Sequence, residues 1–161
     1  RQRRQGEGIV ELGWGRPVRM PVIVIAVVYG LAWTTMSYMR GGDPLAFPWQ
    51  RPIMMAIGLV LAFAEEIAVR GLILDRLARC GTSRIIQIVV TAGIMAVYHG
   101  VVGHSVWPSY MVSSFVLFGV LSVIYVYGGR SLTPVYIAHA MAHFLGDPAL
   151  MQGVLYGVGA G

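Results

Sequence analysis

Two carboxylates stand side by side in an apolar run, within Phe63-Ala64-Glu65-Glu66-Ile67-Ala68-Val69-Arg70. Three histidines, His99, His139 and His143, follow in other apolar segments. An acidic group in the middle of a membrane helix costs about 2.5 to 3.5 kcal/mol to insert, and such groups usually face a cavity or a partner. Spacing sorts these five. His139 and His143 are i, i+4 and share a helix face; Glu66 and Arg70 are also i, i+4 and can pair. Glu65 points about 100° away from Glu66, at 3.6 residues per turn, and is the carboxylate left for chemistry. Beside neutral imidazoles and a trapped water it can act as a general base. The reaction this suggests is hydrolysis. Glu65 activates a water, the water attacks a carbonyl, and imidazole or a metal stabilises the oxyanion.

Composition says what must hold these residues. The chain has 161 residues, 57% hydrophobic and 12% charged, with mean hydropathy +0.69. Soluble domains carry about 25% charged residues, so an integral membrane protein is expected. Its fold class is all-α, a polytopic transmembrane helix bundle of about five spans plus a short C-terminal helix. A basic juxtamembrane segment, 1–20, precedes a single transmembrane domain, 21–161, whose motif core is about 52–146. The first residue is Arg1 rather than Met, so a fragment or processed form is expected.

The net charge is +5 and every basic residue is Arg. In a soluble protein this would hint at nucleic acid. Here the arginines lie between spans, where the positive-inside rule accounts for them, and the expected partners are membrane lipid and a membrane-associated peptide or protein tail, with no nucleic acid. Cys80 is alone, so no disulfide framework exists.

The spans read in order. Arg1 to Arg19 is a mobile basic segment. Pro21 to Met39 is the first span, too long for a signal-peptide core. Arg40 to Arg51 is a Gly- and Pro-rich loop with Trp49 at the boundary. Pro52 to Leu74 carries the Glu pair. Asp75 to Arg84 is a short basic loop, and Thr82 or Ser83 can cap the next helix. Ile85 to about Gly103 carries His99. Trp107 to Tyr127 has no ionisable group except its tyrosines. Gly128-Gly129-Arg130 is a tight turn, and Thr133-Pro134 opens the helix of His139 and His143, with Pro at its favoured first position. Asp147-Pro148 breaks that helix. The tail, Ala149 to Gly161, reads equally as a short helix or a packed re-entrant end.

With a cytoplasmic N-terminus, nine loop arginines fall inside and two, Arg40 and Arg51, outside. Helical rise then places Glu66 roughly 15 Å, His139 roughly 13 Å and His99 roughly 22 Å from the inner edge. These depths let the groups meet inside one bundle. Other polar residues have plainer readings: His104 is interfacial beside Trp107, Asp75 is a solvated helix end, and Tyr98 and Tyr136 pack or donate to the site. Glu66 and Arg70 read equally well as a structural ion pair.

In its order and spacing, Glu65-Glu66-x-x-x-Arg70, then His99, then His139-x-x-x-His143, the sequence resembles the CPBP intramembrane proteases. This family is also called Abi, or CAAX-protease and bacteriocin-processing, and includes the type II CAAX prenyl endopeptidases. The resemblance covers about Pro52 to Gly146. It implies that Glu65 and Glu66 are catalytic, with Glu65 the water-activating base, and that His99 and His139 orient water or stabilise the oxyanion. His143 stands where the family usually has Asn or another polar residue, and Met95 where it usually has Phe. A third imidazole favours a metal centre, for which His99, His139, His143 and Glu65 are the candidate ligands. Zinc suits such a set, since its catalytic sites use three protein ligands and a water. The family precedent implies a bacterial inner membrane and a CAAX-protease-like intramembrane endopeptidase.

Two other classes remain open on the residues alone. Histidines on separate helices can hold haem or a transported metal ion, although haem leaves the Glu pair unexplained. A binding or immunity protein keeping the fold without turnover is the other.

Overall fold

The computed structural model describes residues 12–39, 51–102 and 107–145. The sequence readings for 1–11, for the loop with Trp49, for His104, and for Asp147-Pro148 with the tail lie outside the described residues.

Among the described residues every regular element is helical. Helix α1 is Met20–Met39, α2 Arg51–Glu66, α3 Asp75–Arg79, α4 Arg84–Val102, α5 Trp107–Tyr127 and α6 Leu132–Phe144. An eight-residue π-helix, Ile67–Leu74, joins α2 to α3.

Polarity is inverted relative to a water-soluble protein. Val24, Val28, Val89, Val97, Val112 and Val116 are exposed on α1, α4 and α5, while Glu66, Arg70, Gln87, Thr91, Ser122 and His139 are buried. An exposed apolar surface on this scale is a liability in water. In lipid it is the expected outside, and interior polar groups tie helices together. Thr91 on α4 and Ser122 on α5 do this with a 3.1 Å hydrogen bond.

The helical membrane bundle expected from the sequence is what the structure shows, with different lengths. Among the described residues three helices are long and apolar enough to cross a membrane: Pro52–Arg79, Arg84–Val102 and Pro108–Tyr127. The apolar part of α1, Met20–Met36, is shorter. Helix α6 has 13 residues, so it is about 20 Å long against a hydrocarbon core of about 30 Å. It lies inside the bundle instead, against α1, α2 and α5, with Leu132, Val135, Ala138 and His139 buried.

Three local expectations change. The stretch from Asp75 is not yet loop: the chain stays helical to Arg79, helped by an i, i+4 pair between Arg79 and Asp75 at 2.6 Å. It stops in a Schellman turn at Gly81, whose φ is +77°. There Gly81 N–H bonds to Ala78 O and Thr82 N–H to Leu77 O. Ser83 then caps α4, its Oγ accepting the Ile86 N–H at 3.3 Å. Second, Pro134 is the third residue of α6 rather than the first. The position costs nothing, because the opening N–H groups of a helix have no intrahelical partner. Third, residues 12–19 are not loose. Leu12 and Trp14 pack on the core, and the Leu132 N–H donates to Gly13 O at 3.0 Å.

Candidate active site

Glu65 and Glu66 are the last two residues of α2, where the backbone passes from i→i+4 to i→i+5 hydrogen bonding. Such widened turns are rare and are frequent at functional sites. Here the wide turn buries Val69, Arg70 and Gly71 in succession. Arg70 is thereby carried wholly inside. Its Nη1 donates to Glu66 Oε1 at 2.8 Å and its Nη2 to Phe118 O at 2.9 Å. The guanidinium also lies 4.9 Å from the centroid of the Phe118 ring. A buried charge this deep requires such a partner.

Glu66 Oε1 accepts a second bond, 2.8 Å from His139 Nδ1. Since a carboxylate only accepts, His139 carries its proton on Nδ1 and offers a lone pair at Nε2. That nitrogen is 3.1 Å from His143 Nε2 and 3.7 Å from Glu65 Oε2. The chain of contacts Arg70–Glu66–His139 therefore fixes which ring nitrogen faces Glu65. Glu65 itself is only partly buried, but its Oε2 is enclosed and has no hydrogen-bond partner among the described residues.

Gly58, two turns before Glu65 on α2, sets the approach of α6. A Cβ placed there would lie 2.7 Å from His143 Cβ and 3.3 Å from its Nδ1. Only glycine lets the His143 side chain come this close.

His99 also packs on Phe118. Its ring centroid is 5.2 Å from that ring, and His139 is 5.0 Å from it. The His99 Nδ1–H donates to Met95 O at 2.9 Å, which leaves Nε2 as the free lone pair. Tyr98 and Tyr110 meet its ring edge-on at 5.0 and 5.4 Å.

The structure thus brings Glu65, Glu66, Arg70, His139 and His143 into direct contact and holds His99 next to them across one aromatic ring. Tyr136 is spent elsewhere, packed on Phe63 at 5.8 Å, and Tyr98 is largely exposed. Sequence reasoning missed Gly58 and Phe118. Neither residue type carries a signal, because their roles arise only from what faces them.

Glu65, His139 and His143 offer ligand atoms within 4.8 Å of one another, a group that could hold a metal ion. His99 is outside this group, so of the four ligands considered from the sequence three converge. The residues fit a divalent cation such as zinc. Two nitrogens of one tetrahedral zinc, each about 2.0–2.1 Å from it, lie roughly 3.3 Å apart, close to the observed separation of the two imidazoles. Glu66 would serve as the carboxylate that orients a ligating histidine. The same closeness rules out His139 and His143 as the two axial ligands of one haem, since one helix face cannot present both rings to opposite sides of a porphyrin.

A membrane helix bundle with a glutamate–histidine centre at its interior is the class that fold and site define. The chain belongs to the type II CAAX prenyl endopeptidase Rce1-like family, whose model matches residues 47–145. That range includes every residue of the site. No curated protein and no solved structure matches the chain. Membership makes this a CAAX-protease-like intramembrane peptidase in general terms and an integral membrane protein.

Proposed function

We propose that the protein is an intramembrane endopeptidase that hydrolyses peptide bonds of membrane-associated substrates by a water activated on Glu65. One observation carries this reading. Glu65 Oε2 and His139 Nε2 are 3.7 Å apart, too far for a hydrogen bond of their own and close enough to share a water. A water there gives one hydrogen to Glu65 and, once the His143 Nε2–H has turned away, the other to the single lone pair of His139 Nε2. Its lone pair is then left for a carbonyl.

The roles follow from the contacts. Glu65 takes the proton as the water attacks and returns it to the leaving amine. Glu66, fixed by Arg70, keeps the His139 proton on Nδ1. His143 Nε2–H, which donates to His139 Nε2 at 3.1 Å in the empty site, turns to the substrate carbonyl and stabilises the oxyanion. His99, with Nδ1–H committed to Met95 O, acts as an acceptor that orients water or the substrate amide. A divalent cation on Glu65, His139 and His143, when bound, would supply Lewis-acid polarisation and a more acidic water. The substrate side is taken to be the cytoplasmic one, from the arginine distribution. A prenylated protein tail is the family precedent.

The test is cleavage of a library of quenched, membrane-associated peptides by the full chain in liposomes. Wild type should cleave, and Glu65→Gln and His139→Ala should not. Chelator sensitivity reversed by zinc would place a metal on the three ligands. Cleavage retained by Glu65→Gln would sink the proposed base. Absence of cleavage by wild type across the library would favour a non-catalytic binding protein.

A further inference from the structure

The site is rich in acceptors, and most of its donors are already committed. Arg70 Nη1 and Nη2 are given to Glu66 and to Phe118 O. The Nδ1–H groups of His99 and His139 are given to Met95 O and Glu66, and the Nε2–H of His143 lies against His139 Nε2. A peptide entering here brings backbone carbonyls as well as N–H groups. A carbonyl left unbonded in a low-dielectric interior costs binding energy. A donor for the substrate main chain should therefore stand near Glu65.

Tyr110 on α5 carries such a donor. Ser114, Leu117 and Leu121, at i+4, i+7 and i+11 from it, are buried, while Val112, Val116 and Val123 on the opposite face are exposed. Tyr110 thus begins the inward stripe of α5 and is itself partly buried. Its ring meets that of His99 edge to face, with centroids 5.4 Å apart and planes at 82°. Beside this pair Gly100 lets α4 and α5 approach, since a Cβ there would collide with the Met111 side chain. The Tyr110 hydroxyl is near enough to the Glu65 carboxylate for the two to interact electrostatically. It makes no hydrogen bond among the described residues and, unlike Glu65 Oε2, it is not enclosed. Phenylalanine would pack on His99 equally well, so packing does not account for the hydroxyl.

We infer that Tyr110 is a further substrate-binding residue, whose hydroxyl donates a hydrogen bond to a backbone carbonyl of the peptide beside the bond hydrolysed at Glu65. This deepens the endopeptidase reading and rests on it. The contact is to the main chain, so it fixes the register of the peptide over Glu65 without selecting a side chain. The ring, seated on His99, aims the hydroxyl. The bond is made in the bound substrate and kept in the transition state, so its loss appears in KM rather than in kcat.

Tyr110→Phe removes the hydroxyl alone and tests this. In liposomes, on the quenched peptide that wild type cleaves, it should raise KM about tenfold, the effect of one lost hydrogen bond, and leave kcat within about twofold. The unfolding temperature in detergent should stay that of wild type, since the hydroxyl bonds no described residue. Thioamides, whose sulfur is a weaker acceptor, are then scanned along the same peptide. At one position the thioamide should raise KM for wild type and leave that of Tyr110→Phe unchanged, a coupling that a merely structural role would not produce. An unaltered KM in Tyr110→Phe, or thioamide effects equal in both chains at every position, would overturn the assignment. Binding separates it from the endopeptidase reading. Fluorophore-labelled, membrane-associated peptides are titrated in detergent onto the Glu65→Gln chain, with and without Tyr110→Phe, and read by anisotropy. The second substitution should raise Kd about tenfold. A wild type that cleaves nothing refutes the endopeptidase reading, and the Kd ratio then decides Tyr110. Equal Kd values, or no peptide binding at all, overturn its role.

Discussion

Glu66 and His139 meet at 2.8 Å through Oε1 and Nδ1, and the same oxygen takes Arg70 Nη1 at 2.8 Å. One carboxylate oxygen therefore neutralises a guanidinium and orients an imidazole. In the proposed mechanism Glu66 is therefore a positioning residue, and Glu65 is the carboxylate that acts on water.

Replacing Arg70 by Ala should destabilise the protein by about 3–5 kcal/mol, because Glu66 would be left buried without its counter-charge. Arg70→Lys keeps the charge but loses the second bond to Phe118 O, and should fall between the two. Thermal unfolding in detergent reads the order. Equal stability of all three chains would show that the pair contributes nothing to the fold.

Glu65→Gln should reduce kcat by about 10²–10⁴-fold, the usual contribution of a general base, with the unfolding temperature close to that of wild type. Its Oε2 makes no hydrogen bond among the described residues, so little folding energy depends on it. An unfolded variant would contradict this placement.

Gly58→Ala should push α2 from α6 at His143 and lower kcat more than it changes KM. The overpacking itself should cost about 1–3 kcal/mol. Gly93→Ala is the matched control, since nothing lies within 4 Å of its added Cβ. That change should leave activity intact and be neutral or stabilising by about 0.5–1 kcal/mol. Similar activity losses in both variants would remove Gly58 from the site.

His143→Ala should lower kcat by about 10²–10³-fold if its Nε2–H is the oxyanion donor. His143→Asn should keep most of the activity, since an amide N–H also donates. The comparison is made on one peptide under saturating conditions. Equal loss in both would mean that an imidazole is required, as a metal ligand would be.

The sequence by itself determined the membrane class, the helical bundle, the Glu66–Arg70 pair and the membership of His139 and His143 on one face. Each follows from composition or from helical period, which are local properties. The cap of α4 was also legible, as Thr82 or Ser83, for the same reason. Only the tertiary structure decided the rest. No proline or glycine at the Glu66–Ile67 junction announces the π-helix, whose wide turn is held by Arg70 reaching Phe118 O on another helix. Helix α6 looked like a span by hydropathy, yet its 13 residues lie inside the bundle, where apolar neighbours replace lipid. The packed segment around Trp14 read as a loose tail because its partners, Phe63, Gly71, Leu132 and Tyr136, are distant in sequence. The convergence of three of the four candidate ligands, with His99 outside the group, depends on helix packing distances that no periodicity encodes.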